Sequence, residues 1–193
     1  MQGGKIKKIV IIGPESTGKT TLCRQLAEHF RTVWCPEYAR EYLLKHGMDY
    51  SYDDLLTIAK GQIQLEDETE SGVRSPEPGA DSRFTIHDSR LLFIDTDMYV
   101  MKVWCEFVFG KCHEYILDQI KKRKYDLYLL CNVDLPWVKD ELREYPDLET
   151  REKLYHIYKN IMLNQSVPWV DISGSYEVRL EKGIAATAAV LKQ

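Results

Sequence analysis

The chain has 193 residues, 44% of them hydrophobic and 29% charged, with 26 Lys and Arg against 30 Asp and Glu for a formal net charge of −4. A chain of this length buries roughly 70% of the surface its unfolded form exposes, so one domain over residues 1–193 is expected, without disulfides or structural metal. The mild acidic balance lacks the basic stripe of a nucleic-acid binder and gives no drive toward an anionic membrane, so neither partner is expected.

Ile6 to Gly13 (IKKIVIIG) is a short β-branched run ended by Gly, which predicts a strand buried on both faces of a parallel sheet. From Lys19 to Phe30 the apolar residues Leu22, Leu26, Ala27 and Phe30 recur at helical spacing. Thr32 to Cys35 predicts a second strand stopped by Pro36, and Tyr38 to His46 a helix ended by Gly47. Ser51, with Asp54 three residues on, is the expected N-cap of a helix reaching about Glu70. Ser71 to Arg83 (SGVRSPEPGADSR) reads as a mobile surface loop, an insertion spanning about 71–84. Ser89 to Asp95 predicts a third strand ending in an acid, followed by helices over Asp97 to Phe109 and Lys111 to Lys124. The basic end of the latter complements a helix C-terminus. Asp126 to Cys131 is the fourth expected strand, Arg151 to Leu163 an amphipathic helix, Pro168 to Ile172 the fifth strand, and Tyr176 to Leu191 the closing helix. Strands alternating with helices imply a three-layer α/β fold with a mainly parallel five-stranded sheet.

Directly after the first strand comes Gly13-Pro14-Glu15-Ser16-Thr17-Gly18-Lys19-Thr20, a full match to G-x-x-x-x-G-K-[ST], with Thr21 next. Glycines let the backbone wrap phosphate oxygens, loop amides and the helix N-terminus face the anion, Lys19 reaches the β and γ phosphates of ATP, and the Thr20 hydroxyl can ligate Mg²⁺. An acid at the carboxyl end of a neighbouring strand completes such a site, and Asp95 is expected to hold Mg²⁺ directly or through water. Asp97 has two readings, an N-cap or a contact to the acceptor substrate and the metal's water shell.

Glu37, Tyr38 and Arg40 follow the second strand on the same sheet edge, a candidate acceptor wall in which a carboxylate binds hydroxyls or takes a proton and an Arg holds phosphate. A solvated helix start would look similar. Asn132 to Glu149 is long and charged for a connector, and a lid over about 132–151 is expected to exclude water, with Arg143 and Arg151 as cations for transferring charge. Ser175 and Tyr176, with Arg179 nearby, are expected to back the adenine ring. Among the tryptophans, Trp34 and Trp137 lie nearest the expected cleft, and Trp34 is a candidate acceptor contact.

Other chemistries find little support. Five cysteines (Cys23, Cys35, Cys105, Cys112, Cys131) form an odd set without a C-x-x-C pair, and the five histidines have no ligand spacing. The start, MQGGKIKKIVIIG, is too short in apolar residues for a signal-peptide core or a spanning helix, which predicts a cytoplasmic protein.

Taken together, GPESTGKTTL, PEYARE, FIDTD followed by MKVW and FVFG, and DLPWVKDELR resemble, in matching order, the ribosylnicotinamide kinase domain of NadR-type proteins and related stand-alone small ATPases. The resemblance implies a P-loop kinase fold and transfer of the ATP γ phosphate to the 5′-hydroxyl of nicotinamide riboside, giving nicotinamide mononucleotide. In that reading Lys19, Asp95, Asp97, Glu37 and Arg143 carry the chemistry. The longer members place a helix-turn-helix and a nucleotidyltransferase domain ahead of the kinase, whereas 12 residues precede Gly13 here and no H-x-G-H signature is present. The chain is therefore expected neither to regulate transcription by itself nor to make the dinucleotide. Trifunctional members also carry Trp before the residue matching Glu37, where this chain has Pro36. Two other readings remain open, a kinase for another nucleoside or small metabolite and an ATP-binding switch without a small acceptor.

Overall fold

Residues 6–74 and 91–192 are described by a computed structural model. Its elements are β1 (Lys7–Ile12), α1 (Lys19–Phe30), β2 (Val33–Cys35), α2 (Tyr38–His46), α3 (Tyr52–Arg74), β3 (Leu91–Asp95), α4 (Met98–Phe109), α5 (Glu114–Lys122), β4 (Leu127–Cys131), α6 (Leu148–Asn164), β5 (Trp169–Ile172) and α7 (Tyr176–Leu191). The five strands pair only in parallel, in the order β2-β3-β1-β4-β5, with β1 at the centre.

Alternation along the central strands divides the core into two layers. Ile9 and Ile11 of β1, Phe93 of β3 and Leu127 and Leu129 of β4 pack on α1 and α7. Val10 and Ile12, Leu92 and Ile94, and Tyr128 and Leu130 face α3, α4 and α6 on the other side. Each is buried to within a few per cent, which is why these strands read as continuous apolar runs. A third cluster, Leu43, Ile58, Met101 and Ile116 among its members, joins α2, α3, α4 and α5 into a helical flank beside the β2 edge. That flank becomes one wall of the site.

Local chemistry explains the boundaries. Ser51 and Asp54 form a reciprocal cap at the start of α3: the Asp54 amide donates to Ser51 Oγ at 3.3 Å, and the Ser51 amide donates to Asp54 Oδ2 at 2.8 Å. The Ser51 hydroxyl, which donates to Asp54 Oδ2 at 2.6 Å, the Tyr42 hydroxyl and the Ser51 amide lower the Asp54 pKa to about 2. The helix continues to Arg74 rather than ending at Glu70, because Val73 is buried at 1% exposure and its packing offsets the poor helix propensity of Ser71 and Gly72. Residues 75–84 of the expected loop and 89–90 of the expected third strand lie outside the described residues. Helix α5 starts at Glu114 rather than Lys111, with His113 stacked on Tyr52 at 3.6 Å between centroids. Helix α6 starts at Leu148 rather than Arg151, since Asp147 accepts from the Thr150 amide as its N-cap. All five cysteines are free, and burial pushes the thiols of Cys35, Cys105 and Cys131 up to about 12.

Candidate active site

The turn from β1 into α1 runs against the carboxyl ends of the strands, where an open parallel sheet collects ligands. Gly13 has φ 142°, and a Cβ there would fall 2.7 Å from the carbonyl oxygen of Cys131 on β4. Gly18, at φ 77°, is the N-cap of α1 and no side chain caps the first amides of the helix, while Leu135 and Tyr176 pack against Gly18 where a Cβ would sit. Residues Gly13 through Thr21 line one side of a cavity of about 260 Å³. Inside the loop, Lys19 Nζ donates to the Pro14 carbonyl at 2.8 Å and Thr17 Oγ1 to the same oxygen at 2.7 Å.

Asp95 is fully buried at the end of β3, and its Oδ2 accepts from Thr20 Oγ1 at 2.5 Å. Strand parity puts it there: Asp95 pairs with Ile11, so it shares the α1 face. Burial and the neighbouring Glu37 carboxylate raise its pKa to about 7, while Lys19 and Thr20 pull it back. Its Oδ1 is buried with no hydrogen-bond partner among the described residues. A hydroxyl beside a carboxylate with an orphaned oxygen is a hard donor set that fits Mg²⁺, which takes one or two protein oxygens and completes its shell with phosphate and water. Among the described residues no group of three His, Cys, Asp or Glu gathers to hold a metal by itself.

Thr96 separates the two acids in direction as well as sequence. It sits at φ 81°, a strained value for a β-branched residue, and turns the chain so that Asp97 points into the fold. This corrects the acceptor and catalytic role expected of Asp97. Its Oδ1 caps α4 by accepting from the Tyr99 and Val100 amides, its Oδ2 accepts from Tyr128 Oη at 2.8 Å, and 1% of it is exposed. Burial raises its pKa to about 7 against these three bonds. Tyr128→Phe, which removes one charge-assisted bond, is expected to lower stability by about 1.5–3 kcal/mol. An unshifted urea midpoint would contradict the anchoring of α4 through this pair.

The acceptor side differs from expectation in part. Glu37, the N-cap of α2, and Arg40 both line the same cavity as the phosphate loop. Trp34 does not: its partner in register is Phe93, so its side chain packs in the α1 and α7 layer. Tyr38 also turns away, pressing on α3 so closely that a Cβ at Gly61 would meet its ring at 2.2 Å. The aromatic wall comes from α4 instead, where Val100, Val103, Trp104 and Phe107 share one face at helical spacing. Trp104 Nε1 donates to Tyr50 Oη at 2.9 Å, and the two rings meet edge to face.

The segment 132–147 lies across the loop and is tied to it. Glu15 lines the cavity with the rest of the loop, and its carboxylate accepts from the amides of Glu144 (3.0 Å) and Tyr145 (2.7 Å), while Ser16 Oγ accepts from Val138 N at 3.1 Å. Arg40 forms a two-pronged ion pair with Asp140 at 3.1 and 3.3 Å. Arg143 lines the cavity with its guanidinium donating to the Val138 carbonyl. Arg151 is buried at 3% exposure beneath the segment, donating to the Ser16 and Leu135 carbonyls at 3.4 Å, and burial lowers its pKa.

At the start of α7 the structure separates three expected neighbours of adenine. Tyr176 lines the cavity beside Gly18, whereas Ser175 caps the helix by accepting from Val178 N and donates to Glu177. Arg179 is a scaffold residue. It is 2% exposed and donates to the carbonyls of Gly174 (2.8 Å), Thr17 (2.9 Å) and Asn132 (3.0 Å), with Asp134 as its counter-ion.

A family model described as "AAA domain" matches residues 8–179, the loop and the whole cavity included. The chain belongs to the AAA domain family. Its similarity extends to the trifunctional NAD biosynthesis/regulator protein NadR of Salmonella typhimurium and of Escherichia coli, each 27% identical over 172 residues, covering 86% of this chain and 38% of the relative. The chain thus spans well under half the length of these curated relatives. Among solved structures, NadR in complex with NR superposes with a TM-score of 0.76 at 23% identity, over 96% of this chain and 49% of that one. Thymidylate kinase from Ehrlichia chaffeensis superposes with a TM-score of 0.59 at 15% identity, over 95% and 99%. The fold is that of the P-loop kinases.

Within this AAA domain, sequence reasoning missed the clamp by Glu15, the tether from Arg40 to Asp140 and the wall built by Trp104. The spacing of Val100, Val103, Trp104 and Phe107 was a usable signal, since it marks one face of a helix that follows the acidic strand end. The partners of Glu15 lie 129 and 130 residues away, and no local pattern announces them.

Proposed function

We propose that the domain is an ATP-dependent kinase that phosphorylates the 5′-hydroxyl of nicotinamide riboside, giving nicotinamide mononucleotide in NAD salvage. The observation that carries this reading is the single cavity in which the phosphate loop faces Glu37, Arg40 and the Trp104 wall beneath one covering segment. An ATPase switch needs no such second wall. The similarity to NadR supports the choice of acceptor.

Lys19 would exchange the Pro14 carbonyl for the β and γ phosphates, and the amides at the start of α1 would hold their oxygens. Thr20 and Asp95 would hold Mg²⁺, which when bound supplies neutralisation of phosphate charge. Glu37 orients the acceptor hydroxyl and takes its proton, while Arg143 turns from Val138 toward the charge in transit. The segment 132–147, clamped by Glu15 and Ser16, keeps water from the γ phosphate. No helix among the described residues is long and apolar enough to cross a membrane, and a salvage kinase of this kind fits the cytoplasm.

The test is ADP release across a panel of nucleosides. Release that rises with nicotinamide riboside and less with thymidine, uridine or adenosine supports the assignment. A stronger response to another nucleoside moves the acceptor, and ADP release indifferent to every nucleoside overturns the kinase reading in favour of a switch.

A further inference from the structure

The charged side chains around the cavity differ in their company. Lys19 is held by the Pro14 carbonyl, Arg40 by Asp140 and Glu15 by two amides of the covering segment. Glu144 lines the cavity without a cation: among the described residues it forms no ion pair. Its carboxylate is nonetheless fixed in place, accepting from Tyr50 Oη at 2.9 and 3.1 Å. Tyr50 Oη in turn accepts from the indole N–H of Trp104. Burial raises the pKa of the Tyr50 phenol, so it stays protonated and goes on donating to Glu144. Because the polar edge of Trp104 is committed to Tyr50, what remains for a ligand is the indole π-face, the surface that attracts cations.

Position along the helix separates Trp104 from the phosphates, while the Glu144 amide is tied to Glu15 at the edge of the phosphate loop. Trp104 lies seven residues after Asp97, about 10 Å along the axis at the helical rise. With the reacting hydroxyl at the strand ends near Glu37 and Asp95, the far end of a nucleoside, its ring, reaches the Trp104, Tyr50 and Glu144 corner. We propose that Glu144 is the counter-ion of the acceptor ring and makes the pocket select a cationic, pyridinium-type ring over an uncharged ring of the same shape. This deepens the kinase reading and rests on it.

The test compares nicotinamide riboside with its uncharged 1,4-dihydro form as acceptors, using the whole chain and Glu144→Gln, which keeps an oxygen for Tyr50. The wild type is expected to favour the cationic ring at least tenfold in kcat/KM, mostly through KM, with the preference shrinking as ionic strength rises. In Glu144→Gln the ratio is expected to fall close to one. Equal losses for both rings would show that Glu144 only holds the covering segment, and would overturn the inference while leaving the kinase reading intact. An unaltered ratio would overturn it as well. Phosphorylation of neither ring by the wild type would remove the kinase reading and this inference together.

Discussion

Lys19→Ala is expected to lower the rate of the proposed phosphoryl transfer by about 10³-fold with ATP saturating, the scale of losing one fixed donor to developing charge. Asp95→Asn is expected to fall in the same range, since it removes the ionisable partner of Thr20 at the place where a divalent cation fits. Glu37→Gln should lose less. Phosphoryl transfer passes through a loose transition state in most accounts, so positioning and charge neutralisation outweigh removal of the acceptor proton. Single-turnover rates of the three variants decide the ranking, and equal losses would contradict it. Circular dichroism and the urea midpoint separate a chemical loss from unfolding, which matters for Asp95 because it is fully buried.

Arg179→Ala is the largest stability loss expected at any position outside the apolar layers. The substitution leaves the carbonyls of Gly174, Thr17 and Asn132 without their donor and takes the cation from Asp134, whose side chain is 40% exposed and keeps its bond from the Gly174 amide. Asp134 is too exposed to carry a buried-charge penalty, so the loss is that of three carbonyls left without their donor at about 1–3 kcal/mol each, together about 3–5 kcal/mol, which in a chain of this size lowers Tm by about 6–20 °C. Arg179→Lys should recover little, because one ammonium cannot reach three carbonyls set around a planar fork. A melting shift below about 2 °C would show that the α7 contact to the phosphate loop is dispensable. ATP affinity should fall alongside stability, since Thr17 belongs to the loop that Arg179 holds.

Short-range order was the legible part of the molecule. The bounds of α1, α2 and α7 follow from apolar spacing and from Gly or Pro punctuation, and the phosphate loop is a contiguous string between a buried strand and a helix. The parallel sheet follows from the alternation of elements. What escaped depends on register and on one strained dihedral. Strand β2 has three residues, too few to display a period, so nothing in Val33-Trp34-Cys35 says which face Trp34 takes until its pairing with Phe93 is known. Asp95 and Asp97, two apart on an extended strand, would share a face, and the positive φ of Thr96 is what sends one to the phosphate loop and the other into the α4 cap. Arg151 and Arg179 look like solvated helix residues by their neighbours in sequence. They are buried because the segment 132–147 and the loop both need donors for carbonyls that no helix or strand satisfies.

The central claim is that one cavity aligns the ATP γ phosphate with the hydroxyl of a nucleoside rather than with water. Its most direct measurement is a single turnover of γ-¹⁸O-labelled ATP with nicotinamide riboside, with both phosphate products resolved by mass spectrometry. The labelled phosphoryl group is expected on nicotinamide mononucleotide, with little labelled inorganic phosphate formed. Label found only in inorganic phosphate, at a rate the riboside does not change, would contradict it.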